Sequence, residues 1–247
     1  MLVKSQVKYI QTLGHKKFRD AEGVFVAEGK KIVEELMQSE IVQMVQCYAT
    51  PEWLETNAGF LKNRSSSIVT ITEKELERIS FLNSPNQVLA VFTKPVFKQN
   101  FKTEGITILL ETIQDPGNLG TILRTADWFG VKRIVCSLDT ADLYNPKVIQ
   151  SAMGSLIRVE VIYSDLVEYI RDRPGEPVLA GVLDGVDLQE KIKLPNVMVL
   201  MGNESKGISS TLENLATRKI RIPRKGGAES LNVAVAAGII LSQIDSI

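Results

Sequence analysis

The chain alternates between short apolar runs and segments whose apolar residues recur at helical spacing. Runs at 24–29, 41–50, 67–72 and 87–93 predict four strands in the first part of the chain. Between them, 29–39 predicts a helix with Ile32, Val33, Leu36 and Met37 facing inward, and 52–60 a helix opened by Pro51. A further helix starts after Thr72, with Thr72 as N-cap and Glu75 at the capping-box position. A basic helix at 3–13 precedes them all. From 106 the alternation resumes with more continuous apolar runs, at 106–113, 132–138, 156–163, 177–185, 196–202 and 219–223. Helices are expected at 118–129, 145–156, 164–173, 208–216 and from 230 onward, with Asn118, Ser164 and Ser230 as caps. In the last of these, Leu231, Val235, Gly238, Ile239 and Leu241 are expected to share one buried stripe. Near-continuous apolar strands between helices predict an α/β fold with a mostly parallel sheet covered on both faces. The stretch 94–105 has no period, which places a linker at 96–105 between a domain of 1–95 and one of 106–247.

Composition narrows the class. Apolar content of 44% and charged content of 23% over 247 residues are those of a soluble globular protein. No apolar run reaches the roughly 18–20 residues of a membrane span, and the first residues lack the apolar core of a signal peptide. Cys47 and Cys136 lie far apart in apolar runs, which predicts buried, reduced thiols and a cytoplasmic chain. His15 as the one histidine argues against a Ser–His–Asp triad, a Cys–His pair or a multi-histidine metal site, and no metal is expected. The net charge is zero, yet two clusters are locally basic: Lys4, Lys8, Lys16, Lys17 and Arg19, then Arg218, Lys219, Arg221, Arg224 and Lys225. Such clusters can meet phosphates; short charge runs are also commonly solvated faces.

Three strand-to-helix turns gather polar residues where open α/β sheets bind ligands. In the first, Asp115-Pro116-Gly117 turns the chain ahead of Asn118 and Arg124. A purely structural account makes Asn118 a cap and pairs Arg124 with Asp127 at i,i+3. The second holds Gly202, Asn203, Glu204 and Gly207, with Glu204 near the positive end of a helix. The third runs from Ile222-Pro223 through Gly226 and Gly227 to Ser230, where backbone can approach an anion closely.

Together these turns resemble the signature motifs of the SpoU class of RNA ribose 2′-O-methyltransferases in the SPOUT superfamily. The residues that carry the likeness are Asn118 with Arg124, then Gly202-Asn203-Glu204, then Ile222-Pro223 with Ser230-Leu231-Asn232-Val233. One departure is Ser205, where the family often has glycine. The first domain, through its basic start and GVFVAEGKKIVEEL, is similar to the small ribosomal-protein-like α/β domain that binds substrate in many of these enzymes.

The resemblance implies a parallel sheet with a C-terminal trefoil knot, a homodimer, S-adenosylmethionine as cofactor, and RNA, most of all rRNA, as substrate. It implies catalytic roles for Asn118, Arg124, Glu204, Ser230 and Asn232. Cofactor contacts are implied at Leu179, Ala180, Gly181, Gly202, Ile222 and Leu231, and RNA contacts at Lys16, Lys17, Arg19, Arg224 and Lys225. Other readings stay open: a tRNA 2′-O-methyltransferase, a noncatalytic RNA-binding assembly factor on the same fold, and a nucleotide-binding metabolic enzyme. The last lacks a P-loop lysine motif and a G-x-G-x-x-G turn.

Overall fold

The computed structural model describes residues 2–61, 67–97, 105–188 and 191–245. They fall into two compact units, one of Met1–Phe97 with Tyr144–Ile157, the other of Lys98–Leu143 with Arg158–Ile247. Most of the expected linker at 96–105 lies outside the described residues.

The first unit runs α1 (Lys4–Thr12), α2 (Lys16–Glu22), β1 (Val24–Glu28), α3 (Lys30–Met37), β2 (Met44–Ala49), α4 (Pro51–Thr56), α5 (Ala58–Leu61), β3 (Ile68–Thr70), α6 (Glu73–Glu77) and β4 (Val88–Thr93). Its sheet has the order β1-β4-β2-β3; only β2 and β3 run parallel. Ile10, Leu13, Val26, Tyr48, Leu89 and Val91 belong to one buried cluster. The capping box at α6 forms as expected: Thr72 accepts from the Glu75 amide and the Glu75 carboxylate accepts from the Thr72 amide. That carboxylate also accepts from Leu2 N at 2.7 Å, and the two backbone amides hold its pKa below the usual range.

Arg19 departs from the sequence expectation. It is 2% exposed, and its guanidinium donates at 2.6 Å to the carbonyl of Leu13, the residue that ends α1. A cation there satisfies an orphan carbonyl at a helix C-terminus, so it is not presented to a phosphate. Lys16 pairs with Asp20, which also takes Lys94 at 2.6 Å. Lys17 is exposed.

One element of this unit comes from much later in the chain. Helix α8 (Pro146–Ala152) packs on β1, and Tyr144 lies 5.5 Å from Phe25 between ring centroids, with the Lys94 ammonium 4.7 Å over its face.

The second unit comprises β5 (Gly105–Leu110), α7 (Pro116–Trp128), β6 (Arg133–Cys136), β7 (Glu160–Tyr163), α9 (Leu166–Arg171), β8 (Val178–Asp187), β9 (Ile192–Lys193), β10 (Asn196–Met201), α10 (Ser210–Glu213), β11 (Arg218–Arg221), α11 (Val233–Leu241) and β12 (Ile244–Asp245). Six strands form an all-parallel sheet in the order β11-β8-β10-β5-β6-β7, as continuous apolar runs require. The short β9 and β12 pair separately. Burial pushes the thiols of Cys47 and Cys136 up to about 12, and both are free.

Three expected caps move. Asp115, not Asn118, caps α7; Asp165, not Ser164, caps α9; Asn232, not Ser230, caps α11. In α11 the buried residues are Val233, Ala234, Ala237, Ile240 and Leu241, whereas Leu231, Val235 and Ile239 of the expected stripe are exposed. A helix apolar on all sides gives its sequence no preferred face.

Candidate active site

The three turns meet on one side of the parallel sheet. A cleft of about 910 Å³ is lined by the chain after Ala180, the loop after β10, and the stretch from Ile220 to Leu231. Its first wall is an irregularity in β8. Ala180 pairs with Lys219, but the next residue of β11, Ile220, pairs with Val186, so residues 181–185 make an excursion beside the cleft. Met201, Ile222, Leu231 and Ile240 give it apolar surface, while Asp184, Glu204 and Ser230 bring polar groups.

The second wall is a tight loop closed by Asn203 and Gly207. Asn203 N donates to Gly207 O at 3.0 Å and Gly207 N to Asn203 O at 2.9 Å. The Asn203 side chain accepts from Ser205 N and Lys206 N, at 2.9 and 3.0 Å, and donates to Thr112 O at 2.9 Å. Ser205 keeps a negative φ, so serine fits where the motif often has glycine. Gly202 cannot be replaced so easily. A Cβ there would lie 2.3 Å from the Gly207 carbonyl carbon.

The capping shifts decide the site's geometry. Asp115 accepts from Asn118 N at 2.9 Å, which frees the Asn118 side chain. Asn118 Nδ2 then donates to Glu204 Oε1 at 2.7 Å, and Asn232 Nδ2 donates to Asn118 Oδ1 at 2.8 Å. Asn232 does this while its Oδ1 caps α11, so its two amide atoms serve the two contacts separately. One residue from each turn therefore joins a single hydrogen-bonded chain. Asp115→Ala is expected to cost about 0.5–2 kcal/mol in thermal melts, while Asn118→Ala leaves the melting temperature nearly unchanged. Equal melting losses in the two variants would return the cap to Asn118.

Arg124 is exposed and makes no hydrogen bond or ion pair among the described residues. The i,i+3 partner expected for it is taken: Asp127 binds Arg158, with Nη2 at 2.8 Å. Of the basic loop, Lys219 pairs with Glu213, which holds the lysine pKa above its usual value, and Arg221 pairs with Asp187. Arg224 and Lys225 stay exposed on the cleft rim, Arg224 closing its loop onto Ala228 O at 3.3 Å.

Of the residues expected to hold a cofactor, Gly181, Gly202, Ile222 and Leu231 line the cleft. Leu179 and Ala180 do not; they are buried strand residues under it, because an in-register parallel strand turns its backbone to its neighbours. Of the expected catalytic residues, Glu204 and Ser230 line the cleft, and Asn118 and Asn232 connect to it through Glu204. Asn203 and Thr112, which brace the second loop, were not among the residues assigned roles from sequence; the positive φ of Thr112 leaves no trace in an alternating apolar pattern.

The model of the SpoU rRNA Methylase family matches residues 105–242, and that of the MRM3-like substrate binding domain matches residues 4–90. The chain is 32% identical over 243 residues to the 23S rRNA (guanosine(2553)-2'-O)-methyltransferase RlmP of Bacillus subtilis, covering 96% of this chain and 94% of that protein. It is 31% identical to an uncharacterized tRNA/rRNA methyltransferase of Synechocystis, over 95% of this chain and 88% of that one. Among solved structures, the AdoMet-bound rRNA methyltransferase of Sinorhizobium meliloti superposes with a TM-score of 0.84 at 31% identity, over 98% of this chain and 95% of that one.

Proposed function

The chain belongs to the SpoU rRNA Methylase family, and on that footing we propose that it methylates a ribose 2′-hydroxyl of ribosomal RNA, with S-adenosylmethionine as methyl donor. The observation that carries this reading is the chain Asn232–Asn118–Glu204, which ties all three turns together beside the cleft. The cleft fits such a cofactor: its volume of about 910 Å³ lies within the range of roughly 300–1,000 Å³ for small-molecule sites. Gly181 also keeps it open, since a Cβ there would stand 3.1 Å from both Ile240 and Met201. Gly202, Ile222 and Leu231 would hold the cofactor with apolar surface and backbone groups. When bound, it supplies an electrophilic methyl group on a sulfonium.

The chain's own residues have three tasks. A guanidinium is a donor and not an acceptor, so Arg124 is not assigned the hydroxyl proton; its planar donors suit the developing alkoxide and the adjacent phosphate. Asn118, held from both sides, positions the ribose. Glu204 keeps the second loop against α7. Lys16, Lys17, Arg224 and Lys225 supply charge for the RNA backbone, and the first unit serves as its binding platform.

The test is transfer of labelled methyl from S-adenosylmethionine to rRNA and to tRNA, followed by digestion to nucleosides. A labelled 2′-O-methylnucleoside from rRNA is expected. Label on a base, or no transfer to either RNA, would overturn the reading; transfer to tRNA alone would reassign the substrate.

We also propose that the working form is a homodimer. Trp128 is 85% exposed one turn after Arg124 on α7, and Val235 is 52% exposed on α11, which packs against α7. A second copy covering this face would remove large apolar side chains from water. It would also place Arg124, which does not line its own cleft, at a subunit boundary. Sedimentation at micromolar concentration is expected to show a dimer, and a fully active monomer would refute it.

A further inference from the structure

Thr112 stands outside all three turns, yet it has the most unusual backbone near them. It is a β-branched residue with φ +56°, a conformation such residues rarely adopt. Three bonds hold it there. Its amide donates to Ser137 Oγ at 2.8 Å, its hydroxyl donates to Asp139 Oδ2 at 2.8 Å, and its carbonyl accepts from Asn203 Nδ2 at 2.9 Å. Ser137 Oγ in turn donates to the other Asp139 oxygen at 2.6 Å. Asp139 thus takes the Thr112 hydroxyl on one carboxylate oxygen and, on the other, the Ser137 hydroxyl that receives the Thr112 amide. It is exposed and touches neither the cleft nor Asn118.

We propose that Asp139 is a positioning residue for the methyl transfer, acting through Thr112 and Asn203 on the loop that carries Glu204. Asp139 fixes the Thr112 hydroxyl, the twisted Thr112 backbone aims its carbonyl at Asn203, and Asn203 organises the amides of Ser205 and Lys206. Glu204, inside that loop, then meets Asn118. Strain of this kind persists where surrounding bonds over-determine it, and here the strained residue lies between two polar anchors. The Ser137 hydroxyl, and after it that of Thr112, keeps the Asp139 carboxyl below its usual pKa range, with the Lys206 ammonium of the same loop adding a smaller pull. The carboxylate is therefore charged at neutral pH, where it accepts from both hydroxyls.

This inference rests on the methyltransferase reading for its consequence but not for its first readout. In the full-length protein without cofactor or RNA, amide hydrogen exchange across 202–208 is expected to quicken about tenfold in Asp139→Ala, because the Asn203 anchor loosens. Asp139→Asn, which retains one good acceptor oxygen, should restore part of the protection. Single-turnover methyl transfer is expected to fall about tenfold in Asp139→Ala, with RNA affinity unchanged. Asn203→Ala supplies the decisive comparison: once that link is cut, adding Asp139→Ala should change the rate less than about twofold, since interaction energies appear only between residues on one network. Equal effects of Asp139→Ala in both backgrounds, or unchanged exchange across 202–208, would overturn the proposal. If the wild-type chain transfers no methyl group, the functional reading fails instead, and the exchange measurement still judges the link from Asp139 to the loop.

Discussion

Arg124→Ala is expected to cut single-turnover methyl transfer about 10²–10³-fold, the usual cost of losing one well-placed donor to a developing oxyanion. The fold should survive, because the side chain is exposed and bonded to nothing among the described residues. Cofactor affinity should also hold, since Arg124 is not part of the cleft lining. Arg124→Lys should recover little, for an ammonium lacks the planar fork that can hold an alkoxide and a phosphate at once. The structural alternative, an ion pair with Asp127, is already taken by Arg158 at 2.8 Å. Melting temperature and transfer rate, recorded together, separate the outcomes: wild-type transfer by Arg124→Ala would remove the residue on which the mechanism depends.

Gly202→Ala should act on the other half of the reaction. The new methyl group would stand 2.3 Å from one backbone atom of Gly207 and 2.5 Å from the amide nitrogen of Ile208. Backbone cannot swing aside as a flexible side chain can, so the paired bonds between Asn203 and Gly207 must stretch or break. Overpacking of this kind costs about 1–3 kcal/mol, and if the loop must return to its place to hold the cofactor, affinity drops about 5–150-fold. Gly227→Ala is the control: nothing lies within 4 Å of the added Cβ, its φ is not positive, and it does not line the cleft. Calorimetric titration with S-adenosylmethionine compares the two. Wild-type affinity in Gly202→Ala would mean that the second loop does not shape the cofactor site.

Much of this site was legible because each turn sits at the end of an apolar run that could only be a buried strand. Gly202-Asn203-Glu204 follows β10, and Asn118 follows β5, at the places the periodicity assigned. What the pattern could not choose was between polar residues a few positions apart. Asp115 and Asn118, or Ser230 and Asn232, are equally good caps by type, and only the packed structure shows which one caps its helix. The same limit hid Arg19, basic in a basic run, whose guanidinium turns inward to a carbonyl. It also hid the exposed side of α11, where every face is apolar and burial is set by the neighbouring helix.

The segment Tyr144–Ile157 bears on how the chain is made. The first unit includes these residues although its other elements end with β4, so its last piece is synthesised about 60 residues after Phe97. At roughly 5–20 residues per second, that is a delay of about 3–12 s on the ribosome. During this interval β1 lacks one of the helices that pack on it, and the side of Phe25 that meets Tyr144 stays uncovered. The first unit therefore reaches its full set of contacts only when the second is already more than a third made, and exchanging it between relatives means exchanging two separate stretches of gene.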